Sequence, residues 1–144
     1  MTQMGQASFG RRLELTPGGD MGVSGLVRDH RELEVWKRGH RLALDIYKIT
    51  RSFPKDEVYG LSAQLRRAAV AISANLSEGG ARHSRKEYVQ FCYIARGSAS
   101  EVNYLLIVAR DLGYLLPADY DRLSMTCEEI SKMLTTLIKS LQSA

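Results

Sequence analysis

LSAQLRRAAVAISANLSEGGARHSRKEY, residues 61–88, carries the signals of one helix ending and another beginning. Leu65, Ala68, Ile72 and Leu76 recur three and four apart, which places them on one side of a helix running from about Leu61 to Glu78. Its middle, AAVAISANL, is apolar or small nearly all the way round. A helix buried on one side only carries a polar back, so this one is expected to pack in two directions. Gly79 and Gly80 offer the left-handed backbone position that commonly closes a helix. Ser84, followed three residues later by Glu87, forms a capping box immediately before the next apolar period. Asn75 and Glu78 stand at helical spacing just before the break and read as hydrogen-bonding supports for the turn.

Outward from this hairpin the same periodicity continues. Tyr88, Phe91, Ala95, Ser98, Val102, Leu105, Ala109 and Leu112 alternate three and four apart, and Gly113 falls where a C-terminal glycine belongs. Pro117 and Asp119 then suit a helix start, with proline in the first turn and an acid near the positive end. Leu123, Cys127, Ile130, Leu134, Leu137 and Leu141 give that helix its stripe. On the other side of the hairpin, Val35, Gly39, Leu42, Ile46, Ile49 and Phe53 mark a first helix, which the Phe53–Pro54 pair should end. The segment KDEVYG follows as a loop. Four helices with short connections predict an all-α protein, an antiparallel up-down-up-down four-helix bundle over residues 32–144 with crossing angles near 20°.

Residues 1–31 differ in character. They hold Gly5, Gly10, Gly18, Gly19, Gly22 and Gly25 and show no sustained period, so they read as an arm or tail, with a short strand at Arg12–Thr16 left open.

Composition limits the chemistry. At 144 residues the chain fits one domain able to bury its own core. No apolar run approaches the roughly 18 residues of a membrane span, and the start MTQMGQASFGRRLEL lacks the basic-then-apolar layout of a secretory signal. Two cysteines are too few for a disulfide framework. Cys92 and Cys127 fit small buried hydrophobes in a cytoplasmic protein that makes no contact with membrane. His30, His40 and His83 are scattered, with no spacing suited to a metal, and no cofactor is expected. The serines of ARGSASE, residues 95–101, have no base placed beside them, and neither GxSxG nor SxxK occurs, so the chain reads as a non-enzyme. Those small residues instead let helices approach closely. The glycines at 79 and 80 lack the order of a phosphate-cradling loop.

The stretches LEVWKRGHRLALDIYKIT, FPKDEVYGLSAQLRRAAVAISANLSEGGAR and YIARGSASEVNYLLIVARDLGYL resemble the bacterial proteins encoded by intervening sequences of 23S ribosomal RNA genes. The combination of FP, GLxxQLRRA, the N-x-x-E-G turn and ARGS carries the likeness from about Leu33 to Leu116. The resemblance implies a left-handed four-helix bundle assembled as a homopentameric ring. It also implies similarity in fold to the accessory variability determinant of diversity-generating retroelements, a basic pentamer associated with a reverse transcriptase and nucleic acid. The arm lies outside the match.

Charge placement is the strongest functional signal. Residues 61–100 hold Arg66, Arg67, Arg82, Arg85, Lys86 and Arg96 against Glu78 and Glu87, an excess equal to the +4 of the whole chain. A hairpin brings Arg82, His83, Arg85 and Lys86 to one end of the bundle, and a ring would repeat them around a rim. Such a rim is the electrostatic footprint of nucleic-acid binding. Arg82, His83, Arg85, Lys86, Arg66 and Arg96 are the candidate contacts, most plainly with RNA. Arg67 is expected to pair with a carboxylate such as Glu78 or Glu101. The competing expectation is a scaffold that docks a partner protein, such as a reverse transcriptase, without touching nucleic acid.

Overall fold

A computed structural model describes the backbone of residues 30–143 and the side chains of residues 34–143. The expectations placed on the Gly-rich arm and its short strand fall outside the described residues. Every long element within them is helical: α1 spans His30–Thr50, α2 Leu61–Gly80, α3 Arg85–Asp111 and α4 Pro117–Ser143, with a single 3₁₀ turn at Lys55–Glu57 between α1 and α2. The all-α class and the four helices agree with the periodicity. The 3₁₀ turn stands where a plain loop was expected.

The apolar stripes form one core. Val35, Leu42 and Ile46 from α1, Leu65, Ile72 and Leu76 from α2, Val102 and Leu106 from α3, and Leu123, Ile130 and Leu134 from α4 are all at most 1% exposed. Polar ties stitch neighbouring helices along their lengths. Trp36 Nε1 donates to Ser77 Oγ at 2.9 Å and Ser73 Oγ donates to the Trp36 carbonyl at 2.7 Å, joining α1 to α2. Arg38 meets Glu129 at 2.8 Å and Arg122 meets Asp45 at 3.2 Å, joining α1 to α4. Ser124 Oγ bonds Asn103 Oδ1 at 2.8 Å and Arg96 Nη1 donates to Thr135 Oγ1 at 3.0 Å, joining α3 to α4. In the α1–α4 and α3–α4 pairs the contacts climb one helix as they descend the other.

Helix α1 stops three residues before Phe53 rather than at it. The N–H groups of Arg51, Ser52 and Phe53 reach back only three residues, to the carbonyls of Lys48, Ile49 and Thr50 at 3.4, 3.3 and 3.2 Å. The restriction that Pro54 places on Phe53 is thus absorbed over a whole tightened turn. That turn seats Phe53 in the core, its ring 5.6 Å from that of Tyr114.

The glycine caps divide differently from the expectation. Gly113 is the glycine with positive φ among the described residues, at +80°. Its N–H bonds the Arg110 carbonyl at 3.0 Å and the Tyr114 N–H bonds that of Ala109 at 2.9 Å, the paired pattern of a Schellman motif. Gly79 and Gly80 are instead the last residues of α2, which closes on Ala81 in right-handed geometry. Gly79 is there for space. A Cβ on it would lie 2.8 Å from Tyr88 Cδ1 and from Phe91 Cβ, so α2 and α3 touch through a missing side chain. Gly39 does the same for α1, where a Cβ would run into Ser73 Oγ and lie 3.0 Å from Ile72 Cγ2. In ARGSASE, Ala95 and Ala99 are fully buried as expected of a packing run, but Gly97 faces open space.

These two glycine roles separate experimentally. Gly79→Ala should destabilise by about 1–3 kcal/mol, the usual cost of overpacking, whereas Gly113→Ala should cost roughly 1–2 kcal/mol from backbone strain alone. Asparagine should be tolerated at 113, since it visits left-handed geometry, and not at 79. Urea unfolding of the four variants checks this ordering.

Candidate nucleic-acid interface

The turn between α2 and α3 is four residues, Ala81 to Ser84. Ser84 has extended geometry and its Oγ accepts from the Glu87 N–H at 3.1 Å, the expected N-cap, while its hydroxyl reaches Glu87 Oε1 at 3.2 Å. This cap starts α3 at Arg85, so Arg85 and Lys86 both fall in its first turn. Glu78 supports the turn through Arg82, whose Nη2 donates to Glu78 Oε2 at 2.8 Å. Asn75 does not take part. Its Nδ2 donates to the Ala71 carbonyl at 2.7 Å, so its amide is spent on α2's own backbone a turn earlier.

Four candidate residues do come together here. His83 and Lys86 are exposed, and Arg82 and Arg85 are half-buried. Arg82 is the most constrained, with Glu78 on one side, Glu87 Oε2 4.0 Å away on the other, and its guanidinium 4.9 Å from the centre of the Phe91 ring. Part of the local positive charge is therefore balanced within the turn itself.

Arg66 and Arg96 lie elsewhere. Arg66 is fourteen residues before the end of α2, about 21 Å along the helix axis, and its Nε donates to Thr50 Oγ1 at 2.8 Å. Arg96 is eleven residues into α3, about 16 Å along it, bonded to Thr135 and lying 4.9 Å over the Tyr93 ring. The expected six-residue patch is thus one cluster of four and two isolated cations. Arg67 was expected to pair with a carboxylate; it is exposed and forms no ion pair among the described residues.

Sequence reasoning missed Arg51 and Lys55. Together with Arg66 they line a cavity at the α1–α2 connection. The signal was available in the two cations that flank Phe53–Pro54, but they lie outside the window of net positive charge. Glu57 was also overlooked. Its Oε1 accepts from the Leu61 N–H at 3.0 Å and so caps α2 in the absence of a side-chain cap from Gly60, while Tyr114 donates to its Oε2 at 3.1 Å. That bond to a carboxylate holds the Tyr114 phenol above its ordinary range.

The profile of the family described as 23S rRNA-intervening sequence protein matches residues 31–136. The chain belongs to that family. A solved structure of a protein of unknown function from the S23 ribosomal protein family of Bacteroides thetaiotaomicron shares the fold, with a TM-score of 0.70 at 24% identity, covering 76% of this chain and 98% of that one. No curated protein matches the chain. The intervening-sequence family assignment agrees with the resemblance carried by FP, GLxxQLRRA, N-x-x-E-G and ARGS. No described helix is long and apolar enough to cross a membrane.

Both cysteines are buried, as expected for small core side chains. Burial pushes the Cys127 thiol up from 9.0 to about 12, with the charge of Glu128 adding to the effect. The folded protein therefore keeps its proton where the unfolded chain releases it. The contribution is intact below pH 9 and is lost progressively as the pH rises from 9 towards 12. The stability advantage of the wild type over Cys127→Ala should shrink by about 1 kcal/mol between pH 9 and 10, measured by denaturant unfolding of the two proteins side by side.

Proposed function

We propose that the chain is a non-enzymatic, cytoplasmic nucleic-acid-binding protein whose α2–α3 turn meets RNA. In this reading the helices run up-down-up-down with a left-handed twist, and five copies close into a ring that repeats the turn around one rim. The observation that carries it is the grouping of His83 and Lys86, both exposed, with Arg82 and Arg85 on one capped turn. The Arg82–Glu78 pair does not stand against it. Its side chains are 41% and 54% exposed, and such surface pairs are worth little, so a phosphate can take the place of the carboxylate. The family's link to 23S rRNA favours RNA as the polyanion. The non-enzymatic reading rests on the sequence, which offers neither a nucleophile–base order nor metal-ligand spacing.

Self-association is supported by the solvent-facing sides of α2 and α3. Val70, Ile94 and Tyr104 are 46%, 51% and 62% exposed, on helices whose other sides are already packed. In this reading a neighbouring copy covers these side chains and joins them into one apolar patch. The same surface supports the second reading, a scaffold on which a partner protein docks, with the cations serving that partner's acidic face.

Binding separates the two. Affinity for RNA should fall linearly with salt in log–log form, at a slope of about 0.7 per phosphate neutralised on a single strand. Changing Arg82, Arg85 and Lys86 together to alanine should flatten that slope while helicity and oligomer mass persist. Ile94→Glu should lower the mass by light scattering to that of a monomer that is still folded. A wild-type protein that binds no RNA at low salt, yet retains a nuclease-resistant protein partner, would favour the scaffold.

A further inference from the structure

The connection between α1 and α2 builds a second cationic site. A cavity of about 340 Å³ opens there, within the roughly 300–1,000 Å³ range of small-ligand clefts. Arg51, Lys55 and Arg66 supply its cations, Thr50 and Ser62 its hydroxyls, and Phe53 with Pro54 and Val58 its apolar wall. No carboxylate lines it. The carboxylate of Glu57 is committed to the Leu61 N–H and the Tyr114 hydroxyl. None of the three cations forms an ion pair among the described residues.

Two details indicate a site prepared for an anion. Arg66 is held in place: its Nε donates to Thr50 Oγ1 at 2.8 Å, its Nη2 to the Tyr47 carbonyl at 3.4 Å, and its guanidinium lies 4.8 Å from the Tyr47 ring. Its Nη1 makes no hydrogen bond among the described residues, so donors of a fixed guanidinium remain unspent. Ser62 is the second detail. It is 3% exposed, lines the cavity, and its hydroxyl has no hydrogen-bond partner among the described residues. Its Oγ keeps accessible surface, so an oxygen of a ligand in the cavity can reach it. Ser62 also lies in the first turn of α2, where the helix dipole favours negative charge.

We propose that this cavity binds a phosphate monoester, with Arg51, Lys55 and Arg66 neutralising the dianion and Ser62 donating to one of its oxygens. The apolar wall faces the organic part of the ligand. A phosphate monoester carries about −1.5 to −2 charges at pH 7 and three strong acceptor oxygens, which matches three cations and a waiting donor. The site is separated from the α2–α3 turn by the 20 residues of α2, about 30 Å, and stands whether or not that turn binds nucleic acid.

The test uses the full chain, followed by calorimetry and by amide NMR shifts over residues 50–66. Adenosine monophosphate should bind and shift those amides, and adenosine should not. Arg51→Ala with Lys55→Ala should weaken binding at least tenfold; the helical circular dichroism of this variant should match the wild type, because neither side chain makes a described hydrogen bond. Ser62→Ala should weaken binding severalfold without loss of thermal stability. Comparison of 5′-phosphorylated with 5′-hydroxyl oligonucleotides identifies the source: an increment that the double variant abolishes assigns the end of a nucleic acid, and no increment assigns a free mononucleotide. Monophosphate that fails to bind at millimolar concentration, or binds the double variant as tightly as the wild type, would overturn the proposal.

Discussion

Helix α2 is gripped from both sides at points where a side chain is missing. Gly79 lets Tyr88 and Phe91 press on its own backbone, and Gly39 of α1 admits Ser73 and Ile72 of α2. Helix axes normally lie 8–10 Å apart, at a distance set by the residues at the contact. With no side chain at the contact, the facing residues come directly against the glycine's backbone. Several contacts between α1 and α2 and between α2 and α3 follow from these two approaches. Ser73 reaches the Trp36 carbonyl and Trp36 reaches Ser77 because α1 lies close to α2. Tyr88 becomes fully buried because it fills the space over Gly79.

Much of this was legible in the sequence, for reasons that are local. A three-four stripe such as Leu123 to Leu141 reports its buried side directly, and all six of its expected core residues are buried. Ser84 and Glu87 declare a helix start through chemistry confined to four residues. Gly113 declares a helix end the same way. Gly79 misled because a glycine in sequence does not say whether it serves backbone freedom or clearance; that depends on Tyr88 and Phe91 arriving from another helix. Asn75 misled similarly, since an amide near a turn and an amide bonded back to the preceding turn look alike in a linear string.

The candidate site was legible in part. The run Arg82–Lys86 is contiguous, so any hairpin gathers it. Arg66 and Arg96 were grouped with it by net charge, a quantity blind to distance along a helix. Their actual partners, Thr50 and Thr135, come from helices that only the fold brings near. Conversely, the grouping of Arg51, Lys55 and Arg66 depends on the tightened turn before Phe53, which folds the end of α1 back over the start of α2.

Trp36 gives one of these contacts an optical signature. It is the chain's single tryptophan, its indole N–H is bonded to Ser77 on the neighbouring helix, and its ring is stacked on His40 at 5.4 Å with the planes 18° apart. Tryptophan emission, excited where tyrosine does not absorb, therefore reports one junction, the α1–α2 seam, free of the averaging that several indoles impose. Any event that parts the first helix from the second, whether thermal, chemical or partner-induced, becomes visible without an added label.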